Sequence, residues 1–79
     1  MKIPRDLSGR DLVQVLVREL GYHLVHERGS HLVLQTAVPS VHRIAIPDHT
    51  SLRIGTLNNI LKAVANHKQL TKDDILEML

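Results

Sequence analysis

The sequence predicts an α+β domain in which one helix precedes a three-stranded antiparallel sheet, a second helix follows it, and a short third helix comes last. Three observations predict this. Apolar residues recur at helical spacing between Ser8 and Gly21, two β-type runs meet at the pair Gly29-Ser30, and a second helical stripe runs from Leu57 to Val64.

The first helix opens on a capping box, with Ser8 at the N-cap and Asp11 three residues on, and Leu12, Val13, Leu16, Val17 and Leu20 form its apolar stripe. Gly21 ends it, because glycine takes the left-handed conformation at low cost. Strand-like runs follow from Tyr22 to Arg28 and from His31 to Ala37, joined by Gly29-Ser30, a glycine-led pair suited to a type II′ hairpin turn. Pro39-Ser40 interrupts the chain, Val41 to Ile46 reads as a third strand with Ile44 and Ile46 on one face, and Pro47-Asp48 stops it. After a polar loop containing Arg53, Thr56 is the expected N-cap of a helix carrying Leu57, Ile60, Leu61 and Val64. Thr71 and Asp74 form a further capping box before Ile75, Leu76 and Leu79.

This order is that of the double-stranded-RNA-binding-domain (dsRBD-like) fold, in which both helices cover one sheet face and leave the other open. At 79 residues a chain buries only roughly 60% of its unfolded surface on folding, so residues 1–79 are expected to form a single domain. The start of the chain, Met1-Lys2-Ile3-Pro4-Arg5-Asp6, has no apolar run behind its charge, so neither a signal peptide nor a membrane span is expected. With no cysteine in the chain, the expected location is the reducing cytoplasm.

Charge and aromatic content constrain the partner. Ten basic and eight acidic residues give a net charge of +2 and a pI near 9.4, compatible with a polyanion. The single aromatic residue, Tyr22, argues against recognition of RNA by stacking bases on aromatic platforms. Contact with RNA would run through phosphate, sugar and shape. Six histidines supply the side chain that titrates near neutral pH.

With Gly29 and Ser30 as the central turn residues, Arg28 is expected opposite His31, His26 opposite Val33 and Leu24 opposite Gln35, all on the open face. Val25, Leu32 and Leu34 would then meet the helices. Such a face suits metal-free cleavage of RNA: a neutral imidazole takes the proton of a ribose 2′-hydroxyl while arginine stabilises the charge building on the phosphate. His31 is the favoured base and His26 a candidate second group. A histidine at the start of a strand, taken alone, reads as an ordinary half-exposed polar residue.

The motif around it says more. Gly29-Ser30-His31, then Ile46-Pro47-Asp48-His49, then Gly55-Thr56-Leu57 with Ile60-Leu61, together with Ser8-Gly9 and Leu20-Gly21-Tyr22, resemble the HicA (YcfA-like) toxins of bacterial toxin–antitoxin systems over nearly the entire chain. The resemblance implies a ribonuclease that cleaves mRNA on a dsRBD-like fold, inhibited by a HicB-type antitoxin, and it makes His31 the catalytic residue. The sequence departs from the family's usual pattern at Leu34, where an aromatic residue is common, and at Leu32, where a basic residue or histidine often flanks the catalytic one.

The start of the second helix is a further candidate RNA contact, since free amides after Thr56 and the helix dipole attract anions and Arg53 and Lys62 are in reach of the same backbone. Plain capping by Thr56 and a solvated Lys62 are the competing readings. No metal site is expected: His23 and His26 are three apart on a strand, which sends them to opposite faces, and there is neither cysteine nor a helical His-Glu-x-x-His pattern. No cofactor is expected either. Two other functions fit the same pattern: a non-catalytic RNA-binding domain contacting phosphate through Arg28, Arg53 and Lys62, or a protein-interaction module using Leu24 and Val33.

Overall fold

The structure is a computed structural model that describes residue 4 and residues 6–79. The expectation that no leader is present rests partly on Met1, Lys2, Ile3 and Arg5, which lie outside the described residues. Elements follow in the predicted order: α1 (Gly9–Leu20), β1 (His23–Arg28), β2 (His31–Thr36), β3 (His42–Pro47), α2 (Ile54–Lys68) and α3 (Lys72–Leu76). The three strands form one antiparallel sheet in the order β1-β2-β3.

Local signals explain most boundaries. Ser8 caps α1 by accepting from the Asp11 amide at 3.0 Å; of the expected capping box only this half forms. Gly21 closes the helix in the left-handed region (φ 72°). Gly29 has φ +59° and Ser30 is not in the positive region, which matches the type II′ turn rather than type I′. Thr71 and Asp74 make the reciprocal capping box that starts α3.

The start of α2 differs from expectation. Arg53, not Thr56, is the N-cap, with no side-chain capping bond; the Leu57 amide already donates to the Arg53 carbonyl at 2.9 Å. Tertiary anchoring sets this boundary. Leu52 is buried and its amide donates to the Leu7 carbonyl at 2.8 Å, so the chain is pinned immediately before the helix. Thr56 therefore lies inside the first turn, where its hydroxyl caps nothing.

Leu12 and Leu16 of α1, Leu57, Leu61 and Val64 of α2, and Ile75 of α3 pack on Leu32, Leu34 and Ile46, all essentially inaccessible to water. The helices thus cover one sheet face, and alternation leaves His31, Val33 and Gln35 of β2 on the other. The β1–β2 register keeps Arg28 opposite His31 and His26 opposite Val33, but Leu24 pairs with Leu34 rather than Gln35. A β-bulge at Val25 absorbs one residue, returning Leu24 to the helix side and placing His23 opposite Gln35. Val25 accordingly does not enter the core; it is 39% exposed.

The end of the sheet away from the hairpin turn is closed by histidines. Tyr22 is 2% exposed, so it offers no platform for a base. Burial pushes its hydroxyl up to about 12, and it stands 2.9 Å from Nδ1 of His42, whose ring stacks on His67 at 4.4 Å between centroids. His67 Nε2 reaches the Ser40 carbonyl at 2.9 Å, and Lys68 Nζ donates to Thr36 Oγ1 (2.9 Å) and the Val38 carbonyl (2.6 Å), tying the β2–β3 connection to α2. Desolvation, then the charges of His67 and Lys68, lower the pKa of His42. The folded chain thus binds this proton less readily than the unfolded chain, so stability is full above the ordinary imidazole value of about 6.5 and falls as pH drops below it. The thermal midpoint is expected to decline between about pH 7.5 and 5.5, and more steeply than in His42→Gln; equal slopes would contradict this.

Candidate active site

The open face gathers the basic residues of the sheet. Arg28 and His26 on β1, His31 on β2 and Arg43 on β3 share it with His23, and Arg28 stands directly across from His31. Arg43 lies opposite Gln35 and donates through Nε and a terminal nitrogen to Gln35 Oε1 at 3.0 and 2.8 Å. The sole carboxylate within the strands, Glu27, pairs with Leu32 and therefore faces the helices. A chain of net charge +2 thus presents a sheet face whose strand residues include cations and imidazoles and no acid, the condition under which a phosphate backbone approaches without repulsion.

The hairpin end of that face is rigidly assembled. The Asp48 amide donates to the Ser30 carbonyl at 2.7 Å, continuing the ladder in which His31 faces Pro47. Its side chain points the other way, accepting from Nε and a terminal nitrogen of Arg10 on α1 at 3.1 and 2.9 Å. The Arg10 guanidinium is held above its ordinary value first by the hydrogen bond to Asp48 and then by that carboxylate's charge; desolvation opposes this and Glu27, 3.7 Å away, adds least.

Gly9 lets these parts meet. Its amide donates to the His49 carbonyl at 2.9 Å, and a Cβ there would lie 1.9 Å from the Pro47 carbonyl oxygen. The motifs Ser8-Gly9, Gly29-Ser30-His31 and Pro47-Asp48-His49, scattered in sequence, are therefore one structural unit. His31 is exposed at its centre.

Other predicted contacts separate. Arg53 follows Leu52, whose amide bonds the Leu7 carbonyl, so it lies at the α1 N-terminal end with the motifs, and Thr56 is half-buried one turn further on. Lys62 is exposed eight residues into α2, about 12 Å along its axis, and is not brought to this end. Leu24, read as an open-face residue, sits on the helix side of the edge strand and is 48% exposed. Sequence reasoning missed Arg43, although its place beside Ile44 in an alternating strand implies the open face. It also missed the Arg10–Asp48 pair, for which no local signal exists.

Among the described residues, no group of three histidine, aspartate or glutamate side chains is placed to hold a metal ion, and no helix is long and apolar enough to cross a membrane. No curated protein and no solved structure matches the chain significantly. The family described as HicA toxin of bacterial toxin-antitoxin matches residues 9–65, a span that contains all three motifs at the hairpin end save Ser8. The chain belongs to the HicA toxin family, the toxins of bacterial toxin–antitoxin systems.

Proposed function

We propose that the chain is the toxin of a type II toxin–antitoxin system, a metal-independent endoribonuclease that cleaves mRNA in the cytoplasm and is inhibited by a HicB-type antitoxin. The observation that carries this reading is the cross-strand pair of Arg28 and His31 on an open sheet face whose strands contribute no acid. His31 takes the 2′-hydroxyl proton as the oxygen attacks phosphorus, and Arg28 stabilises the negative charge that grows on the phosphate. Arg43 extends the cationic track along the face; Arg53 and the free amides at the start of α2, including that of Thr56, contact backbone phosphate at its end. Lys62 contributes at most a peripheral phosphate contact.

The test is expression of wild type and His31→Ala, scored for growth arrest and for fragments of a defined mRNA. Wild type is expected to arrest growth and cut RNA; His31→Ala is expected to do neither while still binding the antitoxin. Retained toxicity in His31→Ala would remove the catalytic assignment. Salt-sensitive RNA binding without fragments from wild type would indicate an RNA-binding domain instead.

A further inference from the structure

Cleavage by a 2′-hydroxyl needs two proton transfers, one from the nucleophile and one to the leaving 5′-oxygen. His31 serves the first. The ladder geometry limits what can serve the second. His31 faces Pro47 across β2 and β3, and the bond from the Asp48 amide to the Ser30 carbonyl carries the same register one residue further. Asp48 sends its side chain to α1, where Arg10 holds it from two nitrogens. β3 ends at Pro47; extending its alternation past Asp48, whose side chain turns to α1, assigns the exposed His49 to the side of the open face, beyond Pro47 and next to His31. Diagonal neighbours in an antiparallel ladder stand about 7–8 Å apart at the Cα level, a separation that brackets a phosphate.

His26 is the other diagonal neighbour of His31, on β1. The two differ in how firmly they are held. His26 follows directly on the bulge at Val25, in an edge strand whose six residues are all exposed. The backbone of His49 is fixed on both sides: its own carbonyl accepts from the Gly9 amide at 2.9 Å, and the preceding amide bonds Ser30, the residue before His31. A proton donor has to be placed within about 0.5 Å of its working position. The His49 backbone is tied to the same turn that positions His31.

We infer that His49 is the general acid of this site, the partner of His31 in cleavage of RNA. The inference rests on the ribonuclease reading above. In the step, the O2′–P bond forms as His31 accepts the hydroxyl proton, and the P–O5′ bond breaks as the His49 imidazolium gives its proton to the departing oxygen. The products are a 2′,3′-cyclic phosphate and a 5′-hydroxyl; His31 ends protonated and His49 neutral, and exchange with water resets both.

The experiment uses an oligoribonucleotide spanning a linkage that wild type cuts, and the same oligonucleotide with sulfur in place of that 5′-oxygen, since a thiolate leaves without being protonated. His49→Ala is expected to be slowed about 100-fold or more on the oxygen substrate and to cut the sulfur substrate at close to the wild-type rate, which also shows that the variant is folded. His31→Ala is expected to fail on both. Equal loss on both substrates for His49→Ala, or no loss on oxygen, overturns the assignment, as does a sulfur-rescued defect found in His26→Ala instead. Full activity in His31→Ala would instead remove His31 as the base, and absence of cleavage of any RNA by wild type would defeat the ribonuclease reading; both results are distinguishable from any behaviour of His49.

Discussion

Gly9→Ala is expected to destabilise the chain by about 3 kcal/mol, a large share of what a domain of this size possesses. The added Cβ would lie 1.9 Å from the Pro47 carbonyl oxygen and 3.0 Å from its carbon, both backbone atoms that cannot rotate aside. That is roughly 1.5 Å short of an ordinary contact. Relief requires moving α1 away from the end of β3, which lengthens the bond from the Gly9 amide to His49 and breaks the pairing of Arg10 with Asp48. Alanine's better helix propensity opposes this by at most about 1 kcal/mol, and Gly9 is the first residue of its helix, where the gain is smaller still. Gly55→Ala is the control. That glycine is also helical, nothing lies within 4 Å of its added Cβ, and the change should be neutral or slightly stabilising. Urea titration of the two variants reads the contrast directly; a Gly9→Ala midpoint equal to wild type would contradict the close approach.

His31→Ala is expected to reduce RNA cleavage by about 10³-fold while changing folding stability by less than about 0.5 kcal/mol. The separation follows from the geometry. The ring is exposed and makes no hydrogen bond among the described residues, so little native structure depends on it. Proton transfer from the 2′-hydroxyl occurs only in the transition state, so kcat and kcat/KM should fall together with KM nearly unchanged. Arg28→Ala should differ in kind: part of its contact with phosphate exists before reaction, so KM should rise as kcat falls. A His31→Ala variant that lost activity through KM alone would make the residue a binding contact.

The elements most legible in the sequence were those governed by near neighbours. Ser8, Gly21, the Gly29-Ser30 turn and the Thr71–Asp74 box all act within a few residues, and each sets the boundary its chemistry predicts. The register of a two-residue turn gave the pairing of His31 with Arg28, while the choice of His31 as the catalytic candidate came from the family motifs alone. What escaped depends on distant contacts. The run His23-Leu24-Val25-His26 alternates too weakly to reveal that one residue is bulged out. Thr56 looks like a cap, yet Leu52, bonded to Leu7, starts α2 three residues earlier. Arg10 and Asp48 are 38 residues apart, and nothing near either announces the other.

That same separation bears on when the chain can act during its own synthesis. The bonds between the start of α1 and the segment after β3 close a loop of nearly forty residues, and such long-range closures come late because chain entropy opposes them. A nascent chain that has exposed only α1 and the first hairpin holds His31 and Arg28 but not the clasp that fixes the turn beneath them. The hairpin end is completed only when Pro47 to Leu52 have left the ribosome. On the ribonuclease reading proposed above, this order delays activity until most of the polypeptide exists.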